Sequence, residues 1–231
     1  MFELAVLDIA GTTVEEHGCV YIALEEAVRA AGANPGLADI QLWMGADKRE
    51  AITEMLTDAF GTAPETAVVD TAYADFRRRL EAAYAERPPT PLPGVAEAIA
   101  ALRAAGVKVA LTTGFDRAVT DALLGTIGWD ETVLDAVVCV DDVPAGRPYP
   151  YMIFRAMERT GVRDVSKVLT AGDTVRDLDA GTNAGAGMVV GVLTGGLDAT
   201  ALGKVRHTHL LSSVADIPAL LSIGAPRPVG R

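Results

Sequence analysis

From residue 91 onward the chain repeats one pattern, a helical run followed by a short apolar run. The apolar runs fall at 107–114, 135–140, 167–173, 187–193 and 208–213, and an earlier one lies at 3–8. Helical periodicity fills the gaps, in GVAEAIAALRAAG, DRAVTDALLGTIG and PYMIFRAMERTG, and then near 175–185, 199–204 and 214–222. A strand that leads through a helix into another strand must cross over, so the strands lie parallel and the helices cover both faces of the sheet. Most of these runs are continuously apolar rather than alternating, which is the signature of strands buried on both sides. The expected fold class is therefore α/β, with a doubly wound parallel sheet.

The stretch between the first strand and residue 91 reads differently. YIALEEAVRAAG, REAITEMLTDAFG and TAYADFRRRLEAAYAE place apolar residues three and four apart, and no strand is evident among them. The segment RPPTPLPG (87–94) is too rich in proline to be helical and reads as an extended hinge. The expected organisation is a core domain made of 1–14 and 91–223, with an all-helical cap inserted at 15–90. The last eight residues, GAPRPVGR (224–231), read as a frayed tail.

In open parallel sheets, ligands bind at the carboxyl ends of the strands. The residues expected there carry chemistry. The first strand ends at Asp8, the next at Thr112, Thr113 and Gly114, and a later one at Asp173; Arg147 follows the third strand. Singly, each has a plain reading as a helix cap, a turn or a surface charge. Together, at the ends of strands in one sheet, they form a set suited to phosphoryl transfer. Asp8 and Asp173 can hold Mg²⁺, which favours hard oxygen ligands. An aspartate can also attack phosphorus and form an aspartyl phosphate, and Asp8 is the expected nucleophile. Thr113 and the backbone N–H groups near Gly114 can bond phosphoryl oxygens, and Arg147 supplies a permanent positive charge. The formal net charge of −11 makes such local cations necessary for an anionic substrate. The same charge argues against nucleic-acid and anionic-membrane partners. Two cysteines, Cys19 and Cys139, make no disulfide framework, and the N-terminal run has no basic leader, so a reduced cytoplasmic setting is expected.

Four segments carry a resemblance. DIAGTT (8–13), LTTG (111–114), GRPYP (146–150) and GDTVRDLDAGTNAG (172–185) resemble, in order, the motifs of the haloacid dehalogenase superfamily. That resemblance implies a Rossmann-like core with a C1-type helical cap. It implies metal ligation by Asp8, Asp173 and the backbone carbonyl of Ala10, with Asp177 steadying the metal's water ligands. It places Thr12, Thr112, Gly114 and Arg147 against phosphate, and Thr113 and Arg147 among the catalytic groups. It also raises a homodimer formed through cap helices.

Two departures narrow the resemblance to the phosphonatase-like branch. Ala10 stands where most superfamily phosphatases carry a general acid, and Arg147 stands where most carry lysine. MGADK (44–48) resembles the cap segment that carries a Schiff-base lysine in that branch, which would make Lys48 that residue. The features belong together chemically. A phosphate ester expels an alkoxide, which needs a proton from the position held here by Ala10. Cleavage of a C–P bond expels a carbanion equivalent, and an iminium ion on lysine can absorb that electron pair. The branch also carries a histidine three residues after the lysine, where this chain has Ala51; His17, beside Cys19, is the nearest stand-in. The expected function is Mg²⁺-dependent C–P cleavage of phosphonoacetaldehyde or a related phosphono-aldehyde. The alternatives are a phosphatase or phosphosugar enzyme acting on a small phosphorylated metabolite, and a non-catalytic binding protein that keeps the fold.

Overall fold

The structure, a computed structural model, describes residues 1–223, so the tail expected at 224–231 lies outside the described residues. The strands are β1 (Leu4–Asp8), β2 (Val14–Glu15), β3 (Thr90–Pro91), β4 (Lys108–Thr112), β5 (Ala136–Val138), β6 (Val168–Gly172), β7 (Met188–Val192) and β8 (His209–Leu211). Helices α1 (Cys19–Ala30), α2 (Leu37–Leu42), α3 (Lys48–Phe60) and α4 (Thr66–Glu86) lie between β2 and β3. Helices α5 (Val95–Ala104), α6 (Arg117–Ile127), α7 (Tyr151–Thr160), α8 (Val175–Ala184), α9 (Ala199–Leu202) and α10 (Ile217–Leu220) follow.

Six strands form one parallel sheet in the order β5-β4-β1-β6-β7-β8. Every residue of β1 and β6 is buried, as continuous apolar runs require. Leu4, Val6 and Ala110 turn to one face and pack on Met152, Ile153 and Ala156 of α7 and on Ala180 and Ala184 of α8. Ala5, Leu7 and Leu111 turn to the other and join Val95, Ile99 and Leu102 of α5. The doubly wound α/β class is what the sequence pattern requires.

The register positions the chemistry. Asp8 at the tip of β1 lies opposite Thr112 of β4, and Leu7 lies opposite Ala171 of β6. The carboxyl ends of these central strands therefore share one rim, with Asp173 just past β6.

The helices between β2 and β3 pack on one another, with α1 against α3 and α4. Their shared interior includes Leu24, Val28, Ile52, Leu56, Phe76 and Leu80. Asp47 caps α3 by accepting the backbone N–H groups of Arg49 at 2.6 Å and Glu50 at 2.9 Å. Two features depart from the expectation for this stretch. Glu15 and Thr90 are not strandless: β2 and β3 pair antiparallel, so the hinge is a two-stranded ribbon. Two residues per strand are too few to show any period. Helix α2 is also additional. Only Ile40 of its six residues is buried, so it has no apolar stripe to read.

Candidate active site

Arg147 organises the rim. Its Nη2 lies 2.7 Å from Oδ1 of Asp8, and its Nε lies 2.9 Å from Oδ1 of Asp177. Nη2 also donates to the Thr112 hydroxyl at 2.9 Å, and Nη1 reaches the Gly45 carbonyl at 3.5 Å. The planar guanidinium thus joins β1, β4, α8 and the loop before α3, which a point-charge ammonium cannot do. Burial works against its charge, but Asp177 and Asp8 outweigh burial and push its pKa up.

Asp8, Asp173 and Asp177 are all buried, and each offers a carboxylate oxygen within 4.8 Å of the others. Burial raises the Asp8 carboxyl to about 6, against the attraction of Arg147. Burial and the neighbouring Asp8 and Asp177 carboxylates push Asp173 well above the ordinary range. One guanidinium is too little positive charge for three buried carboxylates. A divalent cation would supply the deficit, and three convergent oxygens suit one. Gly195 closes in from behind: a Cβ there would lie 1.8 Å from Oδ2 of Asp173, so only glycine permits the approach.

The other expected residues take distinct places. Thr12 donates its hydroxyl to Oδ1 of Asp173 at 2.8 Å and its amide to the Ile9 carbonyl at 3.3 Å, so it orients a carboxylate. Thr113 accepts the Phe115 amide at 3.1 Å, which leaves its own O–H to donate. Ala10 forms an isolated bridge with Val14 in the turn after β1. Asp177 fills the third position of α8, where Thr174 caps the helix and donates both its amide, at 3.1 Å, and its hydroxyl to Oδ2. The carboxylate of Asp177 is thereby fixed from both sides, by Thr174 and by Arg147.

The loop before α3 covers this rim. A Cβ on Gly114 would lie 2.5 Å from the Ala46 carbonyl, so the two backbones are in direct contact. Lys48, just beyond, is 4% exposed. Its Nζ donates to the Ala46 carbonyl at 2.7 Å and lies 5.8 Å from the ring centroids of both Tyr21 and Phe115. Burial lowers its pKa to about 8, although Asp47 and Asp8 pull the other way. The neighbouring Arg49 cation is not what lowers it. Arg49 instead pairs with Asp70, and the lysine's low pKa comes from desolvation.

Other groups stay outside. His17 sits at the hinge with its ring 3.5 Å from Glu15. Cys19 and Cys139 are free and buried, and burial raises both thiols. Asp142 pairs with Arg117 at 2.6 Å and Arg159 at 2.7 Å, a structural knot away from the carboxylate cluster. The arginines of α4 are paired: Arg79 meets Glu26 and Asp75, and Arg77 reaches Asp116. Among the described residues no helix is long and apolar enough to cross a membrane.

Comparison with known proteins agrees with this geometry. A family model described as haloacid dehalogenase-like hydrolase matches residues 2–185. Phosphonoacetaldehyde hydrolase of Bacillus cereus (strain AH820) is 35% identical over 205 residues, covering 84% of this chain and 76% of its own. The phosphonoacetaldehyde hydrolase of Bacillus anthracis matches to the same extent. Among solved structures, a phosphonoacetaldehyde hydrolase-like protein from Oleispira antarctica superposes with a TM-score of 0.82 at 24% identity, covering 96% of this chain and 91% of that one. A hydrolase from Pseudomonas syringae reaches a TM-score of 0.84 at 20% identity, covering 97% of this chain and 100% of that one. At those identities the two structures speak for the fold alone. With its family motifs gathered on one buried rim and its sequence matched over most of its length, this chain belongs to the haloacid dehalogenase-like hydrolases, on the phosphonatase-like branch.

Proposed function

We propose that this hydrolase cleaves the C–P bond of phosphonoacetaldehyde or a close phosphono-aldehyde. Asp8 accepts the phosphoryl group, and Lys48 forms a Schiff base with the aldehyde. The observation that carries the proposal is the state of Lys48. A lysine that merely decorates a cap stays solvated and charged. This one is buried over the rim with its pKa at about 8, so a useful fraction is the neutral, nucleophilic amine near neutral pH. The curated relatives named phosphonoacetaldehyde hydrolase, at 35% identity, support the same substrate class.

The roles follow from the contacts. Asp8, Asp173 and the Ala10 carbonyl are the proposed Mg²⁺ ligands, with Asp177 beside them. Bound Mg²⁺ would screen the carboxylates and polarise the phosphoryl oxygens. Arg147 holds Asp8 in place and offers positive charge to the incoming phosphonate. Thr113 and the Gly114 amide would donate to phosphoryl oxygens, with Thr12 and Thr112 bracing Asp173 and Arg147. The core domain (1–14 and 91–223) supplies the phosphoryl chemistry, and the cap (15–90) supplies the electron sink and shuts out water. Ala10 leaves no general acid beside the nucleophile, which disfavours an alkyl phosphatase. A cytoplasmic setting accords with two buried free thiols.

The test is reductive trapping. Incubation with phosphonoacetaldehyde and borohydride should place a reduced adduct on Lys48, located by peptide mass spectrometry, and the untrapped enzyme should release phosphate. Phosphate release from small phosphate esters, without any lysine adduct, would assign the protein to the phosphatases instead.

A further inference from the structure

Tyr21 lies in the first turn of α1, outside every motif that carries the family resemblance. Its ring centroid is 5.8 Å from Nζ of Lys48, and Phe115 faces the amine at the same distance. Tyr21 and Phe115 thus wall the Lys48 amine on two sides, and of the two only Tyr21 carries a hydroxyl. Its ring therefore flanks the amine to which an incoming aldehyde would bond.

That position needs a proton carrier. A neutral amine attacking an aldehyde gives a zwitterion, with an ammonium nitrogen and an alkoxide oxygen on one carbon. Nitrogen must lose a proton and oxygen must gain one. Nearby groups do not supply this. Ala51 has no ionisable group. His17 is turned to Glu15, and Glu16 spends its oxygens on the amides of Gly18 at 3.1 Å and Val20 at 2.9 Å. The Cys19 thiol is buried. Phe115 offers no hydroxyl.

We propose that Tyr21 is a catalytic proton relay for carbinolamine formation on Lys48. The inference rests on the Schiff-base reading above. The Lys48 nitrogen bonds to the aldehyde carbon, and the carbonyl pair moves to oxygen. The Tyr21 O–H gives its proton to that oxygen. The resulting phenolate takes a proton from the ammonium nitrogen, so the phenol is restored and the neutral carbinolamine remains. A phenol is protonated near neutral pH, which suits a group that gives its proton first and recovers it at once.

The experiment compares two rates in wild type and Tyr21→Phe by rapid quench. One is formation of the borohydride-trapped Lys48 adduct with phosphonoacetaldehyde. The other is phosphorylation of Asp8 by an aryl phosphate, which needs no carbinolamine. The variant should trap the adduct about 10²-fold more slowly, the size of a general acid–base contribution. The ratio of trapping to phosphorylation should fall at least tenfold. Trapping at the wild-type rate, or an equal fall in both rates, overturns the relay while leaving the Schiff base intact. A wild-type enzyme that traps no adduct overturns both. Should Tyr21→Phe fail to show a cooperative melt, 3-fluorotyrosine at position 21 acidifies the hydroxyl without removing it. A changed trapping rate supports the relay, and an unchanged one removes it.

Discussion

The core rim and the cap loop bury charge in opposite ways. At the rim, the buried Asp8 and Asp177 share Arg147, 2.7 Å from Asp8 and 2.9 Å from Asp177, and Asp173 beside them accepts the Thr12 hydroxyl. At the cap loop, Lys48 is equally buried but has no carboxylate partner. Its amine meets a backbone carbonyl at 2.7 Å and two aromatic rings. Pairing keeps Arg147 charged and works against the rise at Asp8, whereas Lys48 meets desolvation with no such partner. Completed by a divalent cation, the rim would be an ionic site fit for phosphoryl transfer, while Lys48 presents an amine ready to lose its proton. One substrate with a phosphoryl group at one end and an aldehyde at the other needs both.

The comparison breaks first at the nucleophile. Asp8→Asn should lower phosphate release on the order of 10⁴-fold or more, as removal of a nucleophile does. The same variant should still trap an adduct on Lys48, because the cap amine does not depend on phosphoryl acceptance; steady-state phosphate assay and trapping together check this. Lys48→Met should lower C–P cleavage by about 10³-fold while Asp8 still takes phosphate from an aryl ester. It should also raise the melting temperature, since an amine that resists charging is replaced by an apolar side chain. A gain of about 1 kcal/mol corresponds to roughly 2–4 °C in a chain of this size.

Arg147→Ala should cost about 3–5 kcal/mol, because it strands buried carboxylates, and Arg147→Lys should recover only part of that. Denaturant titration measures both. The pH dependence is gentler. The folded pKa of Lys48 is depressed from 10.5 to about 8, so the trapping rate should climb about tenfold per pH unit below 8 and level off above it. The linked stability has a definite sign. Between pH 8 and 10.5 the unfolded chain binds the proton that the folded one has lost, so Lys48 adds stability as pH rises through that window. The smallest effect is Thr12→Val, which removes the hydroxyl bonded to Asp173. It should weaken the Mg²⁺ requirement curve by about tenfold in affinity, the lower end for loss of a group that orients a ligand.

The rim was more legible in the sequence than the cap. Asp8, Thr112 and Asp173 are read from apolar runs that end in polar residues, and strand period alone places them together. Arg147 was legible as a cation near that rim, but its double contact with Asp8 and Asp177 was not, since Asp177 lies in a helix whose rotation depends on the Thr174 cap. Thr12 reads as a phosphate contact, and the bond from its hydroxyl to Asp173, 161 residues away, is visible only in the fold. Tyr21 escaped entirely, because an aromatic in an amphipathic helix looks like core, and only tertiary packing brings it to Lys48. Strands β2 and β3 were too short to show a period.

A single borohydride quench during turnover of phosphonoacetaldehyde reads both halves at once. Reduction converts an aspartyl phosphate to homoserine and an imine to a secondary amine. Peptide mass spectrometry should find homoserine at position 8 and an ethylated lysine at position 48, the latter left after phosphorus has departed. Homoserine at position 8 with Lys48 unmodified, while phosphate is being released, would contradict the account.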